Sequence, residues 1–145
     1  MIVLVFIQNE AGSDRKNYHN EKTLEWQRVA TVSHPYPFPY GFILGTSAAD
    51  GCNVDCFVLT DVPLRTGQVV DCEVVGLMEQ LEDGQPDHNV LARLPGSPSV
   101  VDASVRARLS DFVSTVFSHI PGKNVAVGRF LGSAEASSHI VERSD

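Results

Sequence analysis

The spacing of apolar residues changes near residue 100, and this change limits the folds open to the chain. Before it, short β-branched and aromatic stretches alternate with polar or Gly/Pro-rich turns, a pattern typical of strands in a small sheet. After it, apolar residues recur every three or four positions, which is the spacing of an amphipathic helix. The sequence therefore predicts a strand-rich first part and a helix that packs on it. The predicted strands are residues 2–7, 24–32, 42–45, 55–60, 69–78 and 90–94.

The helical pattern runs from Val101 to Ile120 and ends at Pro121-Gly122. Beyond it, residues 125–130 predict one more strand, and residues 134–142 predict a short terminal helix with Ser133 as its N-cap. We therefore expect an α+β fold, in which a small closed β-barrel carries one main amphipathic helix and a short C-terminal helix. No internal repeat or linker interrupts the pattern, so residues 1–145 are expected to form a single domain.

Charge and cysteine content exclude several classes of function. The formal net charge is −7, which repels nucleic acid phosphates and anionic lipids, so neither is an expected partner. The apolar residues 1–7 are too few to span a bilayer and lack the basic lead of a signal peptide. Three cysteines without paired short spacings predict neither a zinc site nor a disulfide framework, and we expect a reducing, cytoplasmic location.

Acidic residues cluster in two turns with the same spacing. Asp50 and Asp55 flank the start of one predicted strand, and Glu82 and Asp87 flank the turn between two later ones. Carboxylates that converge raise one another's pKa, and hard divalent cations such as Mg²⁺ relieve the repulsion through oxygen ligands. The sequence thus admits a magnesium site built from these four residues. The alternative is that acids collect here only because turns are solvated.

A longer stretch carries a family resemblance. Residues 36–43 read Tyr-Pro-Phe-Pro-Tyr-Gly-Phe-Ile, and residues 50–55 read Asp-Gly-Cys-Asn-Val-Asp. Together they resemble the soluble family I inorganic pyrophosphatases, whose hallmark is Tyr-Pro-x-x-Tyr-Gly-Phe-Ile followed by Asp-Gly-Asp-Pro-x-Asp. Further agreement follows at residues 58–60, at Pro63 and at residues 75–77.

The resemblance implies a five-stranded barrel of the oligonucleotide/oligosaccharide-binding (OB) kind, which assembles as a homo-oligomer, a hexamer in bacteria. It also implies Mg-dependent hydrolysis of diphosphate to two phosphates. Carried over by position, the metal ligands would be Asp50, Asp55 and Asp87. The fourth would be Glu82, whose side chain is longer than that of the aspartate found there in the family. Asp55 would also belong to the catalytic set. Arg28 and Tyr40 would bind the substrate.

Several positions depart from the family pattern. The middle aspartate of the motif, which orients and deprotonates the attacking water, is Cys52, and the neighbouring proline is Asn53. A thiol is a poor substitute for that general base. The N-terminal glutamate corresponds to Gln8. Other departures fall at Asn17 and His19, where the family has lysine and glutamate, at Asn89, another lysine position, and at Val116-Phe117, where the family has Tyr-Lys.

The departures leave more than one function open. Replacing three lysines removes charge-assisted hydrogen bonds worth about 1.5–3 kcal/mol each, so diphosphate hydrolysis is expected to be weak or absent. One hypothesis is therefore a weak Mg-dependent diphosphatase or an inactive relative. The alternative is a non-catalytic binding or scaffold protein that uses the old cleft for another phosphorylated ligand or a protein partner. Hydrolysis of another small phosphorylated molecule is the third.

Overall fold

The computed structural model describes all residues from 1 to 145. It contains nine strands and two helices. The strands are β1 (Ile2–Asn9), β2 (Arg15–His19), β3 (Trp26–Thr31), β4 (Tyr40–Ile43), β5 (Asp55–Val58), β6 (Val69–Glu82), β7 (Gln85–Pro86), β8 (Asn89–Arg93) and β9 (Val125–Leu131). The helices are α1 (Ala103–Thr115) and α2 (Ser133–Glu142).

Five strands close into a barrel in the order β1-β4-β5-β8-β6, and β6 pairs back with β1. All of these pairings are antiparallel except that of β5 with β8. The interior is apolar, with Val5, Ile7, Val58 and Val90 fully buried. The predicted α+β class with a closed five-stranded barrel is therefore confirmed.

A glycine allows β4 to lie close to β1. A Cβ atom on Gly41 would stand 1.8 Å from the carbonyl oxygen of Phe6. No side chain fits at such a distance, so this position of the Tyr-Gly-Phe-Ile stretch requires glycine. The close approach brings Tyr40, at the start of β4, to the rim of the barrel.

The main helix packs on the barrel as the apolar spacing predicts. Asp102 caps α1 by accepting a hydrogen bond from the Val105 N–H at 2.9 Å. Leu109, Phe112 and Val113 are buried beneath it, in a cluster that also includes Phe57. The end of α1 thus lies beside the barrel rim, where it forms one side of the cleft described below.

Several details differ from the sequence-based prediction. Helix α1 ends at Thr115, five residues before the predicted end at Ile120, and residues 85–86 of the predicted turn form the short strand β7. The N-cap of α2 is Gly132, not Ser133, which lies inside the helix and makes no capping bond. Strand β2 was not predicted because Arg15–His19 is mostly polar, and it forms a two-stranded sheet with β3 outside the barrel. Strand β6 continues to Glu82, four residues beyond the predicted end.

Neither helix is long and apolar enough to cross a bilayer.

Candidate active site

A cleft of about 350 Å³ opens between the barrel rim and the end of α1. Its apolar side is formed by residues of α1 and of the segment that follows it, among them Phe112 and Phe117. Its polar side carries both signs of charge. The carboxylates are Glu21, Asp50, Asp55, Glu82 and Asp87, and the cations are Lys16 and Lys123.

Parallel pairing explains why acids that are distant in sequence share this cleft. Asp55 is the first residue of β5, and it pairs with Asn89, the first residue of β8. Neighbouring parallel strands begin at the same edge of a sheet, so Asp55 and Asp87 lie at one edge. Glu82 ends β6, and the turn at residues 83–84 returns the chain toward the same edge.

The acids perturb one another strongly. Burial and the charge of Asp87 raise the pKa of Asp55 well above its usual range, although Lys16 opposes the shift. Burial and the neighbouring Glu82 carboxyl raise the pKa of Asp87 to about 6. The cleft therefore holds carboxylates whose repulsion is incompletely balanced by the protein.

The donor chemistry of this cluster fits a divalent cation, although no binding site is preformed. No group of three or more His, Cys, Asp or Glu side chains is arranged to hold a metal ion. Asp50 is partly engaged, since its Oδ1 accepts the Cys52 N–H at 2.9 Å. Asn89 adds a buried Oδ1 without a hydrogen-bond partner, beside Asp55. Oxygen donors with unrelieved negative charge suit Mg²⁺ or Ca²⁺ rather than a soft metal.

Lys16 is one of the two cations that line the cleft. Its Nζ lies between two aromatic rings, 5.3 Å from the centroid of Tyr18 and 5.5 Å from that of Tyr40. Burial disfavours its charge, but Tyr36 and Asp55 outweigh that effect and raise the pKa of Lys16. No carboxylate oxygen lies within 4.0 Å of the ammonium. A charged, deeply placed lysine without an ion-pair partner is suited to binding an anion.

Lys123 is the second cation that lines the cleft. It forms an ion pair with Glu82 and lies 3.6 Å from an Asp83 carboxylate oxygen. Its Nζ is 5.2 Å from the centroid of the Phe117 ring. Burial acts to raise the pKa of Glu82, but the Lys123 ammonium reverses the shift and lowers it.

Comparison with known proteins identifies the family. The sequence profile of the inorganic pyrophosphatases matches residues 7–145. The chain belongs to the inorganic pyrophosphatase family. The resemblance to this family, drawn from residues 36–43 and 50–55, is thus confirmed.

Relatives from bacteria and archaea cover almost the whole chain. An inorganic pyrophosphatase from Ralstonia nicotianae is 32% identical over 151 residues, which span 95% of this chain and 86% of the relative. One from Nanoarchaeum equitans is 27% identical over 155 residues, 100% of this chain and 97% of the relative. The crystal structure of the Thermus thermophilus inorganic pyrophosphatase superposes with a TM-score of 0.86 at 26% identity, covering 97% of this chain and 87% of that one.

The structure does not bring Asn17, the first of the expected lysine positions of the pyrophosphatases, into the cleft. The resemblance places that position at Asn17, but the Asn17 side chain donates to the Gln8 carbonyl at 3.0 Å and does not line the cleft. Lys16 lines it instead. Successive residues of a strand point to opposite faces, so Lys16 points to the cleft and Asn17 points away from it. His19 also lies outside the cleft, against the Phe6 ring.

The two predicted substrate-binding residues differ in placement. Tyr40 lines the cleft, and burial followed by the Asp55 charge raises its pKa well above the usual value, so its phenol remains protonated and can donate a hydrogen bond. Arg28 does not line the cleft; its guanidinium stacks on the ring of Tyr18 at 3.8 Å. Tyr18 does line the cleft, so Arg28 lies one side chain further out.

Cys52 lies at the mouth of the cleft, in the exposed loop between β4 and β5. Partial burial and the nearby carboxylates of Glu21 and Asp50 raise the pKa of its thiol to about 11. The group is therefore a neutral thiol near pH 7, with little capacity to accept a proton from water. Of the other departures, Gln8, Asn89, Val116 and Phe117 line the cleft, whereas Asn53 is buried and does not.

Three charged residues of the cleft were not predicted from the sequence. Lys16 is adjacent to a position that was considered, and a strand prediction for Arg15–His19 would have shown which residues face inward. Glu21 and Lys123 lie in turns outside any recognised motif. Only the fold shows that these turns border the cleft.

Proposed function

We propose that this protein hydrolyses diphosphate to two phosphates with the help of Mg²⁺, more slowly than its relatives with a complete motif. The observation that carries the proposal is the position of Lys16, a cation without an ion-pair partner that faces a wall of carboxylates. This arrangement suits a ligand in which an anion and divalent cations bind together. Diphosphate with Mg²⁺ is such a ligand, and the family supplies the reaction class.

In this proposal the acids hold the metal and the other side hydrogen-bonds to the substrate. Asp50, Asp55 and Asp87 are the metal ligands, and Glu82 joins them by releasing Lys123. When bound, Mg²⁺ neutralises diphosphate charge and favours attack by water on phosphorus. Lys16 and the protonated Tyr40 donate hydrogen bonds to the phosphate oxygens, and Arg28 supports Tyr18 at the rim. The apolar side, with Phe112 and Phe117, limits the entry of water.

The reaction is expected to be slow because of Cys52. A correctly placed general base contributes about 10²–10⁴ in rate, and a thiol with a pKa of about 11 does not supply it near pH 7.

Free cysteines, including Cys52 in the cleft, are compatible with a reducing compartment such as the cytoplasm. We also propose that residues 1–145 act as one domain within a closed homo-oligomer, up to a hexamer, without nucleic acid or membrane partners.

The test is phosphate release from diphosphate with Mg²⁺, at protein concentrations high enough to detect rates far below those of the family. We expect slow, saturable hydrolysis that Asp55→Asn abolishes. Asp71→Asn makes the same chemical change on the outer, exposed face of β6 and should leave the rate unchanged. No Mg-dependent hydrolysis by the wild-type protein would support the non-catalytic binding function instead. Equal rates in Asp55→Asn would show that the hydrolysis does not depend on this cleft and would contradict the proposed site.

A further inference from the structure

Glu21 is a cleft carboxylate that the family motif does not include. It lies in the turn between β2 and β3, it is half-buried, and it lines the same cleft as Asp55 and Cys52. Its Oε1 accepts the backbone N–H of Asn53 at 2.9 Å. Because Asn53 directly follows Cys52, this bond holds the Glu21 carboxyl beside the residue that replaces the family's water-activating aspartate.

The neighbouring residue fixes this contact from the other side. The Lys22 Nζ donates to the Asn53 Oδ1 at 2.6 Å, to the Thr46 carbonyl at 2.7 Å and to the Ser47 Oγ at 2.9 Å. Asn53 in turn donates its side-chain amide to the Ile43 carbonyl at 2.9 Å. The β2–β3 turn and the loop carrying Cys52 are therefore tied together by bonds to both the backbone and the side chain of Asn53.

The second carboxylate oxygen of Glu21 is left without a protein partner. Asn53 bonds only to Oε1, and no cation of the protein lies within 4.0 Å of the Glu21 carboxylate. A half-buried carboxylate with one oxygen anchored and the other free is oriented but available. Burial raises the pKa of Glu21, despite the opposing Asn53 N–H, which brings its basicity closer to that needed near neutral pH.

We propose that Glu21 takes over the role that Cys52 cannot perform, and that its free Oε2 accepts the proton of the attacking water. The proposal rests on the diphosphatase function proposed above. In this step the water oxygen forms a bond to one phosphorus atom while the bond from that phosphorus to the bridging oxygen breaks. One proton of the water passes to Glu21, the electron pair of the broken bond stays on the leaving phosphate, and the proton is later released to solvent.

A purely structural role for Glu21 must be separated from this one. Glu21→Gln retains an Oε1 acceptor for the Asn53 N–H and removes only the basic oxygen and the charge. Cys52→Asp restores the carboxylate of the family motif nearby. We therefore compare four proteins: wild type, Glu21→Gln, Cys52→Asp and the double variant. Glu25→Gln is the matched control, since Glu25 is exposed on the same turn and its carboxylate makes no hydrogen bond or ion pair.

We expect Glu21→Gln to lower kcat by about 10²-fold in the wild-type background, the lower end of the range for loss of a general base because Glu21 replaces the family aspartate only in part, with a much smaller change in KM. In the Cys52→Asp background the same change should cost far less, because a second carboxylate is present. A structural role predicts the same loss in both backgrounds and would overturn the proposal. Glu25→Gln should match wild type.

Binding of Mn²⁺, measured by calorimetry without substrate, gives a readout independent of turnover. If Glu21 acts on water and not as a metal ligand, Glu21→Gln should weaken Mn²⁺ binding by no more than about 10–100-fold, as groups beyond the ligands do. Loss of Mn²⁺ binding equal to that in Asp55→Asn would make Glu21 a ligand and overturn its assignment. An inactive wild type would refute both the diphosphatase function and this role, whereas an active wild type unaffected by Glu21→Gln would refute only this role.

Discussion

The carboxylates that line the cleft should destabilise the metal-free protein at neutral pH because they repel one another. Removing one of these charges should therefore stabilise the fold. The change is Asp87→Asn, which keeps the shape of the side chain and an acceptor oxygen. Burial and the Glu82 carboxyl raise the pKa of Asp87 from 3.8 to about 6. The folded state thus holds this proton more tightly than the unfolded chain does, so ionisation of Asp87 costs stability.

The sign and the pH window follow from the two pKa values. Below about pH 4 the carboxyl is protonated in both states and costs nothing. Stability falls as the pH rises from about 4 to about 6, and above that the whole penalty is present. A shift of about two units corresponds to about 3 kcal/mol at 1.36 kcal/mol per unit. Asp87 is only partly buried, and solvent screening reduces the expected gain in Asp87→Asn to about 1–2 kcal/mol.

The measurement is thermal unfolding in EDTA at pH 7.5 and at pH 4.5. We expect Asp87→Asn to raise Tm by about 3–8 °C at pH 7.5, given the unfolding entropy of a chain of this size, and by much less at pH 4.5. Saturating Mg²⁺ should reverse the order, because a metal at 100 times its Kd stabilises the wild type by about 2.7 kcal/mol and the variant has lost a ligand. Asp71→Asn serves as the control. An unchanged or lower Tm for Asp87→Asn in EDTA at pH 7.5 would refute the electrostatic argument.

Four further expectations test the cleft and the assembly. Cys52→Asp should raise kcat by up to about 10²-fold, as measured by phosphate release; a rate no higher than wild type across pH 6–9 would contradict the assignment of this position. Lys16→Gln should raise KM for diphosphate about 10–150-fold, through loss of a charge-assisted hydrogen bond worth about 1.5–3 kcal/mol; an unchanged KM would place the substrate elsewhere. Lys123→Met should tighten Mn²⁺ binding in calorimetry, because it frees Glu82, and equal affinity would show that Glu82 is not a ligand. Sedimentation velocity should show a closed oligomer at micromolar concentration that Leu4→Asp weakens, since Leu4 is an exposed apolar residue of β1, whereas a stable wild-type monomer would remove the oligomer.

The barrel and the main helix were predictable because burial leaves a pattern in the sequence. Strands such as β1 and β5 are runs of buried apolar residues, and α1 buries Leu109 and Phe112 at helical spacing. Strand β2 leaves no such pattern, since only His19 of its five residues is buried. It is fixed by pairing with β3 outside the barrel, and tertiary pairing of this kind has no local signal.

The candidate site was predictable only where it coincides with a motif. Asp50, Asp55, Glu82 and Asp87 were proposed from their spacing and all line one cleft, because β5 and β8 run parallel. Lys16 was missed by one residue, which in a strand is the difference between the cleft and the outer face. Glu21 and Lys123 were missed because their turns approach the cleft from outside the barrel, and loop positions of this kind are set by the scaffold rather than by local sequence.

The positions of the cleft lysines indicate whether substrate binding or water activation is weakened more in the proposed reaction. Counted along the sequence, the cleft has lost three lysines, at Asn17, Asn89 and Phe117. In the structure Lys16 lines the cleft beside Asn17, and the Lys123 ammonium lies 5.2 Å from the Phe117 ring, so we infer that these two cations compensate for the first and third of these lysines. Only the charge at Asn89 has no substitute. One missing charge-assisted hydrogen bond weakens diphosphate binding by about 1.5–3 kcal/mol, where three would weaken it by roughly 4–9 kcal/mol. In the proposed reaction about 10²–10⁴ in rate depends on the proton acceptor. We therefore expect water activation to limit the rate, because the Cys52 thiol is neutral near pH 7 and only the free oxygen of Glu21 is available to accept the proton.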